Sequence, residues 1–378
     1  MFATALAAAS LGTAIVATDQ AVLRAAARES APVQAQLWQG EALEVRGERL
    51  GYLQVWDHQR ERGGWVRAAQ VRRTGLTQPE APDLLAVVRF LREAPGAESL
   101  GIGLVAAWLQ AAPAEAVRGP AGADALDALG TFAERLAQRA SSGAATSKPA
   151  QLALAAYMEV ASQYGVQFTH YEQDGRLRVC YDGDAFRRVL ALPAPADQKA
   201  RAALALTEPA CMDPALQPLQ RHQRNLWRAE VLDRVETAAL PPHVRNRVVL
   251  RRASVWSALA YEYARLGEPA QVAALRSLAE LAEARKADLA EEDAAAWNEA
   301  AMRVNASRWA AVPAAGAADE GKRPWIVTQP GQPGETCVLL VDAQHGAAQP
   351  LARRCTYALV WLQSASLNRE GNALALAV

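Results

Sequence analysis

Apolar and polar positions along the chain fall into three patterns. Between residues 37 and 71, short runs at 42–45, 51–56 and 65–71 alternate, with Leu43 and Val45, then Leu53 and Val55, on one side, as half-buried strands do. The polar stretch 60–64 reads as a solvated loop between them. From residue 83 to residue 313 the period becomes helical. Leu84, Leu85, Val88 and Leu91 form one apolar side, behind an Asp83 placed to cap. A second helix is expected over 97–112, although Gly101 and Gly103 inside it each cost about 1 kcal/mol relative to alanine. Helices at 124–140 and 149–164 follow, the latter ended by Gly165.

One strand pair interrupts the helices. Runs at 167–171 and 176–181 flank Asp174 and Gly175, the dipeptide that a tight hairpin turn prefers. The hairpin, 166–181, puts Leu177, Val179 and Tyr181 on one face and Cys180 on the other. Helical patterning resumes at 185–192, 196–206 and 214–237. Trp256, Leu259, Ala260 and Tyr263 then recur at helical spacing up to Gly267, and Val272, Leu275, Leu278 and Ala282 do so after Pro269. That stretch resembles one tetratricopeptide unit, with no second copy at the period of roughly 34 residues that an array needs. A helix at 294–311 and a linker at 314–322 lead to β-patterned runs at 325–328, 336–341, 355–361 and 373–378. The expected fold is therefore multidomain and mainly α: a small β-barrel at 18–75, a helical body at 83–313 and a β-rich region at 323–378.

Bulk properties narrow the partners. The 40 basic and 40 acidic residues balance, without the basic excess that a nucleic-acid footprint requires. Residues 1–17 are apolar and uncharged before Thr18, Asp19 and Gln20, which reads as a secretory signal peptide. No cysteine follows the run to carry a lipid, and no other stretch approaches the ~20 apolar residues of a membrane span. The cysteines agree with export. Cys180 and Cys211 lie 31 residues apart, and Cys337 and Cys355 lie 18 apart. Four cysteines allow three connectivities, of which the local pairing closes one loop in each region. Two disulfides imply an oxidising compartment, periplasmic or secreted.

The sequence carries none of the common catalytic motifs. There is no G-x-S-x-G, H-E-x-x-H or phosphate loop, no C-x-x-C, and the five histidines are scattered singly. Cys337 with His345 is the nearest approach to a nucleophile and base, but Cys337 sits in a strand pattern with a disulfide partner. Asp182, Gly183 and Asp184 near His170 could be read as metal ligands. Their place just before the 185–192 helix is better explained by N-capping, so no metal and no cofactor are expected.

Val22-Leu23-Arg24, Gly40 with Leu43 and Val45, and Gly64-Trp65-Val66 together resemble the bacterial SH3-like domain, over 18–75 only. That family implies a small barrel that holds peptides through surface aromatics, often cell-wall peptide. Of the aromatics, Trp56 or Trp65 is expected to plug the core, Tyr52 and Trp38 to be freer. Tyr52 and Trp56, then Trp38, are the expected ligand-binding residues. The implied function is that of an exported, non-catalytic binding or adaptor protein of the cell envelope, with a peptide, protein or cell-wall ligand. The alternative is a peptidoglycan hydrolase with an unfamiliar helical catalytic domain.

Overall fold

The computed structural model describes residues 12–143, 145–173, 175–284, 289, 291–311, 325–330, 332, 336–341, 350, 352–356, 364–367 and 374–377. The start of the apolar run at 1–11, the linker at 314–322, His345 and the expected turns at 331, 345–346 and 370–372 lie outside them. The chain divides into two compact units, Met1–Val248 and Val249–Val378. Mainly α structure and a multi-unit chain are as expected from the pattern.

The first unit begins with seven strands: β1 (Thr13–Val16), β2 (Ala21–Arg24), β3 (Val33–Leu37), β4 (Ala42–Arg49), β5 (Tyr52–Asp57), β6 (Arg62–Arg67) and β7 (Val71–Thr74). They form one antiparallel sheet in the order β3-β2-β6-β5-β4-β1-β7. Inward residues include Leu23, Leu43, Leu53, Val55 and Val66, each within 1 % of full burial. Alternation located β4, β5 and β6, but two boundaries need correcting. The stretch 60–64 is only in part a loop, because Arg62, Gly63 and Gly64 already pair with Asp57, Trp56 and Val55.

The second concerns residues 13–16, where no strand was expected. β1 lies there, between β4 and β7, and is buried on both faces. Ala14 and Val16 face the sheet core, while Ile15 joins the helical core. A strand covered on both sides is apolar without alternation, which is why the pattern of polar and apolar positions gives no strand at 13–16.

Helices α1 (Ala81–Arg92), α2 (Glu98–Ala111), α3 (Ala114–Arg118), α4 (Pro120–Ser141) and α5 (Lys148–Gln163) follow. Their core is built on Trp108, Phe132 and Leu136, all fully buried. α2 is apolar nearly all round, and its glycines are contacts rather than defects. A Cβ on Gly101 would stand 2.4 Å from the Phe132 ring, and one on Gly103 would stand 2.7 Å from the Gly40 carbonyl of the sheet. The sheet is fixed there by the Tyr164 hydroxyl donating to Gly40 O (2.6 Å) and the Ser99 hydroxyl donating to Gln39 O (2.6 Å). Asp127, wholly buried on α4, accepts from Arg92 (2.7 Å) on α1.

The hairpin is formed by β8 (Phe168–Gln173) and β9 (Arg176–Tyr181), and α6 (Asp184–Ala191), α7 (Ala196–Leu206) and α8 (Pro218–Asp233) come next. Arg201 on α7 also reaches Asp127, at 3.1 Å. Phe168 and Tyr181 pack against the main core, and Ser141 grips β9 by accepting from Val179 N (2.8 Å) and donating to Val179 O (3.0 Å). Asp182 accepts from the Asp184 amide at 3.0 Å, but the N-cap of α6 is Gly183, in the left-handed region and with no side-chain cap, so the capping expected of these aspartates is met only by a bond from the residue before the cap. Helix α9 (Pro242–Leu266) crosses the division between the units.

The second unit holds the rest of α9, α10 (Gln271–Glu283) and α11 (Ala294–Ser307). Val249, Leu250, Ala284 and Ala300 form a small core, and the buried Ser257 and Ser307 hydroxyls meet at 2.9 Å. Strands β10 (Trp325–Pro330), β11 (Thr336–Val341) and β12 (Ala352–Thr356) make a three-stranded sheet, and β13 (Ser364–Leu367) pairs with β14 (Leu374–Ala377). The run expected at 355–361 thus pairs three residues earlier, and β13 was not anticipated. Both local disulfides are present: Cys180–Cys211 in the first unit and Cys337–Cys355 in the second.

Candidate functional site

The outer face of β5 is set by alternation. Leu53, Val55 and Asp57 turn inward, so Tyr52, Gln54 and Trp56 turn outward. In register, Gln54 stands opposite Trp65 of β6 and Gly47 of β4, while Trp56 stands between Gly63 and Glu44. Trp65 therefore shares the outer face, since its neighbours Gly64 and Val66 point inward. Neither tryptophan plugs the core, contrary to expectation. Aliphatic side chains fill that space, leaving no room for an indole. The result is three aromatic residues, Tyr52, Trp56 and Trp65, on one face with glycines beside them.

Arginines lie over two of these rings. Arg46 stacks on Trp56 with its guanidinium carbon 4.5 Å from the ring centroid, and Arg67 lies 5.9 Å from that of Tyr52. Glu44 accepts from Arg46 (3.1 Å) and meets His58 Nε2 (2.7 Å). The Arg46 bonds hold the Glu44 carboxyl below its ordinary range. Beneath the β5–β6 turn, burial pushes Glu41 upward against the opposing pull of Arg60, which reaches both Glu41 and Asp57. That buried group fixes the turn next to Trp56.

Of the three expected ligand residues, Trp56 is half-buried on the outer face. Tyr52 is only 8 % exposed beneath Arg67, so the freedom expected of it is not found. Trp38 lies away from both. Its ring meets Tyr157 of α5 edge-on at 6.1 Å and packs against the helical core. Hydrophobic contact with α5 explains its place, because β3 and β4 are joined at the point where the sheet meets the helices. Sequence reasoning missed Trp65, although its i, i+2 relation to Gly63 and Arg67 carried the signal.

A second concavity went unseen in the sequence. A cleft of about 310 Å³ opens between the hairpin, α4 and α8, over the Cys180–Cys211 disulfide. Cys180 is buried and Cys211 exposed. Arg178 of β9 and Arg224 of α8 line it, the latter stacked on Trp227 at 5.1 Å. Arg228, also in the lining, is buried and donates to the Thr207 carbonyl and the Asn225 side chain. These residues are brought together only by the fold, 46 positions separating Arg178 from Arg224. Among the described residues no cluster of histidine, cysteine and carboxylate is arranged to hold a metal, and no helix is long and apolar enough to cross a membrane. The chain matches no protein-family model, and comparisons with curated proteins and with solved structures give no match.

Proposed function

We propose that the chain is an exported, non-catalytic binding protein of the bacterial cell envelope, whose N-terminal sheet is an SH3-like barrel that holds a peptide or cell-wall component. The observation that carries this reading is the outer face of β5 and β6, where Tyr52, Trp56 and Trp65 stand together beside Gly47 and Gly63. Rings offer broad contact at small entropic cost. Gly63 leaves room for the Trp56 ring to lie flat against the sheet, where a Cβ would stand 3.4 Å from it. Arg46 over Trp56 adds a cation already held in place by Glu44, suited to a carboxylate-bearing peptide. Two disulfides support an oxidising compartment, periplasmic or secreted.

Sedimentation of the full chain with purified cell wall tests this. Trp56→Ala and Trp65→Ala should each weaken binding by ~1 to 2 kcal/mol, about tenfold, with melting unchanged. Tyr52→Ala should do less, because that ring is mostly covered. Wild-type affinity in both tryptophan variants would refute the assignment of the site to this face.

A further inference from the structure

The cleft over the Cys180–Cys211 disulfide has chemistry of its own, on residues that take no part in the β5–β6 face. Arg178 and Tyr171 are directly opposed in the hairpin, so Arg178 projects on the face that carries Cys180. It is half-buried, and neither it nor Arg224 has a carboxylate partner among the described residues. The acids at the cleft are otherwise engaged. Asp182 holds Arg187 and the Asp184 amide, Glu208 accepts from Ala210 N, and Glu134 has a partner of its own. Two guanidinium groups are therefore left over at one opening. Arg178 is partly withdrawn from water, where a guanidinium without an anion is costly, and the exposed Arg224 is held ready by stacking on Trp227.

The floor is apolar, with Phe186, Leu206 and Trp227 in the lining. A shallower depression shares Thr169, Cys211, Arg224 and Trp227 and continues beside His170 and Tyr171. Here register supplies a second observation. Val179 turns its N–H and C=O away from β8, to Ser141, so its opposite residue His170 turns its own backbone groups away from β9. The exposed edge of β8 at His170 thus has a donor and an acceptor available to an incoming strand.

We propose that this cleft binds the free C-terminus of an extended peptide. Its carboxylate is held by Arg178 and Arg224, its last side chain lies against Trp227, and its preceding residues run along the edge of β8. Arginine forks match carboxylates in geometry as well as charge, and an apolar floor beside them selects a terminal residue rather than a free small anion.

The experiment uses the full, disulfide-intact chain on an array of octapeptides of varied sequence, each made with a free C-terminus and as the C-terminal amide. Titration by fluorescence anisotropy of the strongest binder and its amide follows. The free acid should bind about tenfold or more tightly than its amide. Arg178→Ala and Arg224→Ala should each abolish that preference and leave the amide's binding unchanged, whereas Trp56→Ala should leave both as they are. Both arginines reach solvent, so unchanged melting of the variants separates lost binding from lost folding. Equal binding of acid and amide, no binding of any peptide, or a preference surviving in both arginine variants would overturn the proposal. A Trp56→Ala loss on cell wall with no acid preference here would leave the β5–β6 face standing and this cleft refuted.

Discussion

The two disulfides close loops of similar size in regions that depend on them very differently. Cys180–Cys211 ties β9 to the short turn at Pro209–Cys211, where the hairpin is already held by Phe168, Tyr181 and Ser141. Cys337–Cys355 joins directly opposed positions of β11 and β12. Among the described residues the buried cluster there is Cys337 with Leu339, and Cys355 packs against it. Restricting the unfolded chain contributes roughly 3 to 4 kcal/mol for either loop. That is a modest share of what a unit with a large core can lose, and most of what a three-stranded sheet possesses. On this reckoning the same covalent bond should reinforce the first region and weigh more heavily in the second.

The strongest test removes each bond in turn. With Cys337→Ser and Cys355→Ser together, amide protection over β11 and β12 should fall to the unfolded level while the first unit melts as before. With Cys180→Ser and Cys211→Ser, melting of the first unit should drop by about 3 to 4 kcal/mol, yet β8 and β9 should stay protected. Hydrogen exchange read by mass spectrometry distinguishes the two. Retained protection at β11 would show that the C-terminal strands have support beyond their disulfide.

A second test concerns why the first unit can spare its crosslink. Alanine at a helical glycine ordinarily stabilises by about 1 kcal/mol. At Gly103 the added Cβ would meet the Gly40 carbonyl, a backbone atom that cannot swing aside. Gly103→Ala should therefore destabilise by about 1 to 3 kcal/mol, read as a lower urea midpoint. A gain instead would mean that sheet and helix are not pressed together at Gly40.

Much of the helical body was legible because its helices have one buried side, but in α10 the expected stripe is wrong: Val272 and Leu275 are exposed, and Ala273, Ala274 and Ser277 are buried instead. Leu84, Leu85 and Val88 of α1 are buried as the spacing predicts, and Gly165 and Gly267 lie in the left-handed region just after α5 and α9. β1 was not legible. A strand buried on both faces has no alternation, and its pairing with β4 and β7 is long-range. The aromatic face was half legible, since register between β5 and β6 decides that Trp65 joins Trp56, and one sequence does not state register. The cleft was illegible for a different reason. Arg178, Arg224 and Trp227 belong to separate elements, and an unpaired arginine looks the same in a sequence as a paired one.

The smallest expected effect separates the units by pH. Glu80, just before α1, accepts from the Thr74 hydroxyl (2.7 Å) and from the Gly75 amide (2.8 Å), tying the last strand of the sheet to the first helix. Those bonds, the hydroxyl first, hold its carboxyl below the ordinary glutamate range. Because the folded value is the lower one, the contribution is fully present above the unfolded value of roughly 4.3. It is lost as pH falls through the folded value, where the native state must also take up the proton. Glu80→Gln should thus lower melting of the first unit at neutral pH, and the gap from wild type should close on acidification. The carboxylate is partly in water, so the shift should be small beside that of Gly103→Ala. Protection over β11 and β12 should not respond to this substitution at any pH. A gap that persisted unchanged in acid would mean that the difference between glutamate and glutamine at this position does not come from the carboxylate's charge.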